Sequence, residues 1–266
     1  MRPTYTVGAC SDRGRRKTVN EDAYIFLPPE EGQRHFKGLL LALADGMGGR
    51  AGGDQASKIA VNTLLKVFYK DASTDIAESL ERAFTEAHKA VIKAGDKDVR
   101  VQGMATTLTA AVVVDDYLYH GHVGDSRAYI VEADAIRCIT EDHSFVASLV
   151  KAGAITAEKA RTHPQRNVIT QAVGASEKLR IDISRKPHRL ENGSSVLLCC
   201  DGLYKDLRDE EILEAIRKAP DPQAACETLI TMANERGGSD NITAVMVRID
   251  RSQAPANSLL RVLDAR

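Results

Sequence analysis

Two apolar runs of strand length end in the same dipeptide. Gly38–Ala44 (GLLLALA) runs into Asp45-Gly46, and Ser195–Cys200 (SVLLCC) runs into Asp201-Gly202. A short apolar run that stops abruptly reads as a strand. A carboxylate at its end is then held on a rigid element while it projects into a cleft lined by loops. Glu21-Asp22 and Asp240-Asn241 sit at comparable strand-to-loop transitions, and Asp125 lies in Gly124-Asp125-Ser126-Arg127 after another strand. One such aspartate is ordinarily a turn or cap residue. Five at equivalent places suggest a site for hard divalent cations, which take carboxylate and carbonyl oxygens. Brought together without such ions, each carboxylate pair at about 4 Å costs about 4 kcal/mol at an effective dielectric near 20.

Strands are expected at Thr4–Ala9, Ala23–Leu27 and Gly38–Ala44, with a polar, basic loop at Ser11–Asp22 and a turn around Pro28, Pro29 and Gly32. Helical spacing of apolar residues follows in Asp54–Tyr69, with Asp54 as its cap, and in Ser73–Lys93. The period then changes. Thr106–Val114, Tyr117–Val123, Arg127–Val131 and Ile136–Ile139 are β-rich and closely joined, as antiparallel hairpins require. Short helices are expected at His143–Ala152 and Thr156–Thr162, the latter stopped by Pro164, then strands at Ile181–Ser184 and Ser195–Cys200. Helices at Asp209–Lys218 and Pro222–Glu235 precede a last strand, Asn241–Ile249, and residues 251–266 read as a tail or linker. Strands alternating with helix pairs suggest antiparallel sheets covered by helices in a single domain.

Composition narrows the function class. The 266 residues are 43% apolar and 27% charged, as in an ordinary globular protein. Lysine and arginine number 36 against 37 acidic residues, so no net field draws the chain to nucleic acid or to an anionic membrane. No signal segment and no run approaching the roughly 18–20 apolar residues of a membrane span is present. The five cysteines lack CxxC spacing and read as free thiols, small buried hydrophobes in a reducing compartment, so a cytoplasmic location is expected.

Eight segments, SDRGRRKTVNED, ADGMGG, ATTLTAAVVV, HVGDSRAY, TEDHS, THPQRNVITQAVG, CDGL and GGSDNIT, occur in this order over roughly residues 5–249. Together they resemble the successive motifs of type 2C protein phosphatases (the PPM family), metal-dependent serine/threonine phosphatases, in their compact bacterial form. The resemblance implies an α+β fold, a four-layer α-β-β-α sandwich of two mostly antiparallel sheets flanked by pairs of antiparallel helices. The catalytic domain would be residues 1–250, with a substrate-gating flap at about 143–180. The flap is expected to be the most mobile ordered part of the chain.

The same resemblance implies two Mn²⁺ or Mg²⁺ ions and a weaker third. Asp45 would bridge the first two, with the Gly46 carbonyl and Asp22 as further ligands and Glu21 more peripheral. Asp201 and Asp240 would hold the other metal, and Asp125 with Asp201 the third. A water activated by the metals would attack the phosphorus of phosphoserine or phosphothreonine, with no covalent phosphoenzyme. Substrates would be phosphorylated proteins, with a serine/threonine kinase as counterpart and a monomer as the working unit.

Two departures from the family pattern stand out. The arginine that clamps the substrate phosphate is replaced by Lys17, a point charge without the bidentate fork, so either Lys17 or a neighbour such as Arg16 or Arg15 must serve. The histidine that family members often carry after the DG is replaced by Met47, or by Arg50 a few residues on. His120, His122 and His143 read more readily as structural, which leaves the general acid unassigned. A phosphatase-shaped binding module would have lost ligand carboxylates, and none is missing here. Gly46-Met47-Gly48-Gly49-Arg50-Ala51 also satisfies a dinucleotide-binding GxGxxA pattern with Asp71 downstream. A strand ending in aspartate repels pyrophosphate, however, and two helices follow where a βαβ unit is required. A narrower target, such as a phosphorylated anti-anti-sigma factor, is compatible with the same residues.

Overall fold

In the computed structural model the described residues are 3–27, 37–47 and 52–251. The expected turn at Pro28, Pro29 and Gly32, Arg50 and the end of the GxGxxA pattern, and residues 252–266 of the tail lie outside them.

Eleven strands and seven α-helices are formed among the described residues. The first sheet joins β1 (Thr4–Asp12), β11 (Ile242–Asp250), β10 (Ser195–Cys199), β6 (Arg127–Val131) and β7 (Ile136–Cys138), in that order. The second joins β2 (Ala23–Leu27), β3 (Leu39–Ala44), β4 (Leu108–Val114), β5 (Tyr117–Val123) and β8 (Asp182–Ile183), with β9 (His188–Arg189) also paired to β5. Every pairing is antiparallel. That rules out the βαβ unit of the dinucleotide reading.

The apolar runs are continuous because these strands are covered on both faces. Along β3, Leu39, Leu41 and Leu43 pack between the sheets against Val196, Leu198 and Val247. Leu40, Ala42 and Ala44 pack the other way, against α1 (Gly53–Lys70) and α2 (Ile76–Gly95) through Leu64, Phe68 and Phe84. On β10, Leu197 and Cys199 face α6 (Asp209–Lys218) and α7 (Pro222–Glu235) through Ile212, Leu229 and Ala233. Three cores therefore separate four layers, helix pair, sheet, sheet, helix pair. Each fully buried leucine contributes roughly 1.5–3 kcal/mol.

The remaining helices are short: α3 (Phe145–Lys151) and α4 (Ala157–Arg161) in the flap, and α5 (Asp201–Tyr204). No helix among the described residues is long and apolar enough to cross a membrane.

Most differences from the sequence reading are of one to three residues at element ends. Three have a physical reason. Asp54 is not the cap of α1: Gly52 takes that place in the left-handed region (φ 93°) with no side-chain cap, and Asp54 lies in the first turn. Thr106 and Thr107 stand outside β4 because Thr106 forms isolated bridges to Gly46 and Val173, while both hydroxyls bond at the end of β3. Residues 201–204 turn helically straight out of β10, a continuation that the apolar pattern does not signal.

Candidate active site

Antiparallel pairing sends alternate strand ends to the same edge. Ala23 at the start of β2 lies opposite Ala44 at the end of β3, and Cys199 at the end of β10 opposite Ala244 near the start of β11. Asp22 and Asp45 adjoin Ala23 and Ala44 directly, while Asp201 comes two residues after Cys199 and Asp240 two residues before β11, so each sheet supplies two. Asp125 occupies the link from β5 to β6, where the chain crosses from the second sheet to the first.

The innermost group is Asp22, Asp45 and Cys200, with a side-chain ligand atom from each within 4.8 Å of the others. Asp22 Oδ2 accepts from Thr243 Oγ1 at 2.5 Å, while the buried Asp22 Oδ1 has no hydrogen-bond partner among the described residues. Burial, then charge on Asp22, Asp201, Asp125 and Asp240, pushes the Asp45 carboxyl well above the usual range. Asp22 is raised to about 7, first by burial, against the hydrogen bonds of Thr243 and Cys200. Asp125 is also raised to about 7, by burial and then by Asp201, with Lys205 opposing. Asp125, Asp201 and Asp240 lie outside the 4.8 Å group, yet their charges still reach Asp45.

The surrounding backbone is fixed by short contacts. The Asp45 N–H donates to Thr107 Oγ1 at 2.8 Å, and the Asp45 carbonyl accepts from Thr106 Oγ1 at 2.8 Å. Glu21 works through its carbonyl, which accepts from the Gly46 N–H at 3.2 Å and from Ser57 Oγ at 2.6 Å. A Cβ on Gly46 would lie 2.4 Å from the Gly53 carbonyl oxygen, and one on Gly202 would lie 2.1 Å from that of Asn241. The glycines of both Asp-Gly pairs thus allow backbone to approach backbone.

Of the basic loop, Lys17 reaches the cluster. Its Nζ sits 2.5 Å from Asp240 Oδ1. Burial would lower this ammonium, but the bond to Asp240 and the charges of Asp45 and Glu21 leave it raised. Arg15 and Arg16 are exposed, and neither bonds to the aspartates.

None of the hydrogen bonds made by the described histidines runs to the five aspartates. His122 is buried, its Nδ1 is 2.9 Å from Thr109 Oγ1, and burial followed by His143 pushes it down to about 3. His120 is pushed down to about 4 by burial and His188. His143 Nδ1 accepts from the Gly124 N–H at 3.2 Å, which leaves Nε2 to face Asp182 Oδ2 at 3.1 Å. Met47, at the position where family members often have histidine, donates its backbone N–H to Ala105.

Three contributors escaped the sequence reading. Asn241 follows a candidate ligand but works as a clamp: its Nδ2 donates to the Arg13 and Val19 carbonyls at 2.9 Å each. Cys200, read as a bland buried thiol, adds its Sγ to the innermost group; burial and Asp22 raise it well above a normal thiol, so it is a weak donor and no thiolate. All five cysteines are free. Lys205 places its Nζ on Asp201 Oδ2 and 2.8 Å from Asn167 Oδ1 of the flap. Burial would lower Lys205, but Asp201, Asp125 and Asp45 leave it raised and charged. The spacing i, i+4 after Asp201 was its only trace in the sequence. A cleft of about 810 Å³ runs beside these groups, walled by Asp125, Asp240 and Lys205 on one side and by Val146, Val150 and Arg161 of the flap on the other.

Comparison with known proteins follows the same lines. The family profile described as protein phosphatase 2C matches residues 12–243. The serine/threonine phosphatase stp of Listeria monocytogenes is 32% identical over 247 residues, 91% of this chain and 95% of that protein. The crystal structure of the Mycobacterium tuberculosis serine/threonine phosphatase PstP/Ppp superposes with a TM-score of 0.80 at 34% identity, covering 93% of this chain and 99% of that one. The catalytic domain of PstP in complex with 2 manganese ions gives a TM-score of 0.78 at 32% identity, covering 94% and 100%.

Proposed function

The chain belongs to the protein phosphatase 2C family, and from that premise we infer how its own residues carry out the hydrolysis of phosphoserine and phosphothreonine on proteins. The enzyme is a metal-dependent serine/threonine phosphatase. The observation that carries the residue assignment is the unpartnered Asp22 Oδ1 beside carboxylates whose proton affinities are raised by burial first and by neighbouring aspartates after it.

These residues fit divalent ions. Asp22, Asp45, Asp201 and Asp240 offer carboxylate oxygens from four strand ends, with the Gly46 carbonyl beside them, and oxygen donors of this kind suit Mn²⁺ or Mg²⁺. Asp45 is central, because it feels each of the other four aspartates of the cluster. Glu21 is assigned a supporting role through its carbonyl, and Asp125 an outer one beside Asp201. When bound, such ions lower the pKa of water toward neutrality and offset charge on a phosphoryl group.

The protein supplies the rest. Lys17 brings one positive charge to the mouth of the cluster, where the substrate phosphate must settle; Arg16, exposed on the same loop, attracts it from outside. Thr107, Thr243 and Asn241 hold the carboxylate-bearing segments in place, so little reorganisation is needed when charge develops on the phosphoryl oxygens. No side chain is assigned as nucleophile, since the Cys200 thiol is held protonated. The general acid for the leaving oxygen is not assigned to any described histidine.

The physiological counterpart is proposed to be a serine/threonine kinase whose products this enzyme reverses, with the monomer acting in the cytoplasm. The deciding assay uses a phosphothreonine peptide and p-nitrophenyl phosphate, each with Mn²⁺, with Mg²⁺ and with EDTA. Turnover is expected with metal and none with EDTA, nor in Asp45→Asn or Asp201→Asn. Unchanged turnover by the Asp45→Asn variant would sink the ligand assignment while leaving the family intact. Lys17→Ala should raise KM more than it lowers kcat.

A further inference from the structure

The cation on Asp201 is part of the chain. Lys205 lies one helical turn beyond Asp201, and its Nζ pairs with Asp201 Oδ2 and donates to Asn167 Oδ1 at 2.8 Å. Its backbone is pinned as well. The Lys205 N–H donates to the Asp201 carbonyl at 3.0 Å. Arg161 Nη2 of the flap donates to the carbonyls of Tyr204 and Lys205 at 3.2 and 3.1 Å. Tyr204 in turn donates its hydroxyl to the Asp125 carbonyl at 2.9 Å, with the Arg127 guanidinium 3.8 Å from its ring centre. The ammonium is therefore presented from a fixed stem, with 26% of its side chain exposed.

Resting on the metal reading above, we propose that Lys205 is a built-in cation in the place of the third ion, so that this chain takes two divalent ions and not three. A third ion shared by Asp125 and Asp201 would meet the ammonium on Asp201 Oδ2, and that ammonium is held a second time by Asn167 of the flap. The carboxylates suit an ion, but the site's charge is already offset by the lysine. The lysine does the two things such an ion would do. It offsets repulsion between Asp125 and Asp201, and through Asn167 it ties the flap to the metal side of the cleft. It is also present at every metal concentration, because it is covalently part of the chain.

The test counts ions. The full chain is titrated with Mn²⁺ by calorimetry and, in parallel, dialysed to equilibrium with Mn²⁺ and analysed for metal content. Wild type and Lys205→Arg should each bind two ions per chain. Lys205→Met should gain a third, weaker site, and that site should vanish in the double variant Lys205→Met/Asp125→Asn. Circular dichroism and a melting curve establish that each variant is folded. Three ions in the wild type, or two in a folded Lys205→Met, overturns the proposal. Absence of Mn²⁺ binding in every protein is a different failure, since it removes the binuclear reading itself and the Lys205 proposal with it.

Discussion

Asn241 Oδ1 accepts a hydrogen bond at 2.9 Å from the backbone N–H of Glu21, 220 residues away in the chain. The same side chain donates to Arg13 and Val19, so one amide holds both ends of the loop that carries Lys17. It also joins the two sheets at their shared edge, because Glu21 leads into β2 and Asn241 into β11.

Replacing that amide should therefore cost both stability and metal binding. Asn241→Ala takes the partner from three partly buried backbone groups, and a typical intramolecular hydrogen bond contributes about 0.5–1.5 kcal/mol. Urea unfolding should register a loss in that range. Mn²⁺ affinity, followed by calorimetry, should fall roughly 10–100-fold, as it does when groups behind a metal ligand are removed.

Asp45→Asn should divide stability from function. Without metal, the substitution removes a carboxylate whose charged form burial and then four other aspartates disfavour, so the melting temperature in EDTA should rise. A gain of about 1 kcal/mol corresponds to roughly 2–4 °C for a domain of this size. The wild type gains about 2.7 kcal/mol per site at a hundredfold excess of ligand over its dissociation constant, and the variant should lose most of that gain. A lower melting temperature for Asp45→Asn in EDTA would contradict the repulsion.

His122 should make the fold labile to acid. Its native value of about 3 lies below the ordinary 6.5, because burial and His143 disfavour the charged ring. Its contribution is complete above pH 6.5 and is lost as pH falls from there toward 3, since only the unfolded chain takes up the proton. At about pH 4.5 the loss approaches 3 kcal/mol, counting about 1.36 kcal/mol per pH unit. His122→Asn, which keeps a polar atom toward Thr109, should flatten this part of the unfolding free energy against pH.

Hydrogen exchange should be fastest, among the described secondary structure, in α3 and α4. Val146 is the one buried residue of α3, and α4 has none. Segments with few buried apolar contacts open at low cost. The β3 amides, on a strand buried on both faces, should exchange slowest. Equal protection of α4 and β3 would remove this expectation.

The layers and the carboxylates are legible along the chain. Continuous apolar runs at Leu39–Ala44 and Ser195–Cys199 exist because each strand has a core on both faces, and that demand is written residue by residue. The eight ordered segments carried the family, and the five aspartates fall at strand ends because antiparallel strands deliver their ends to a common edge. The tertiary structure alone decided how those aspartates are held. Asn241, Thr243 and Cys200 look like ordinary strand residues until β11 and β10 lie beside Asp22. Lys205 is one lysine among many until α5 turns it onto Asp201. Gly46 and Gly202 serve close packing whose partners, Gly53 and Asn241, are set by chain crossing. Local pattern records which face of an element is buried, whereas contacts between distant segments depend on register and layer packing, which no short stretch of sequence contains.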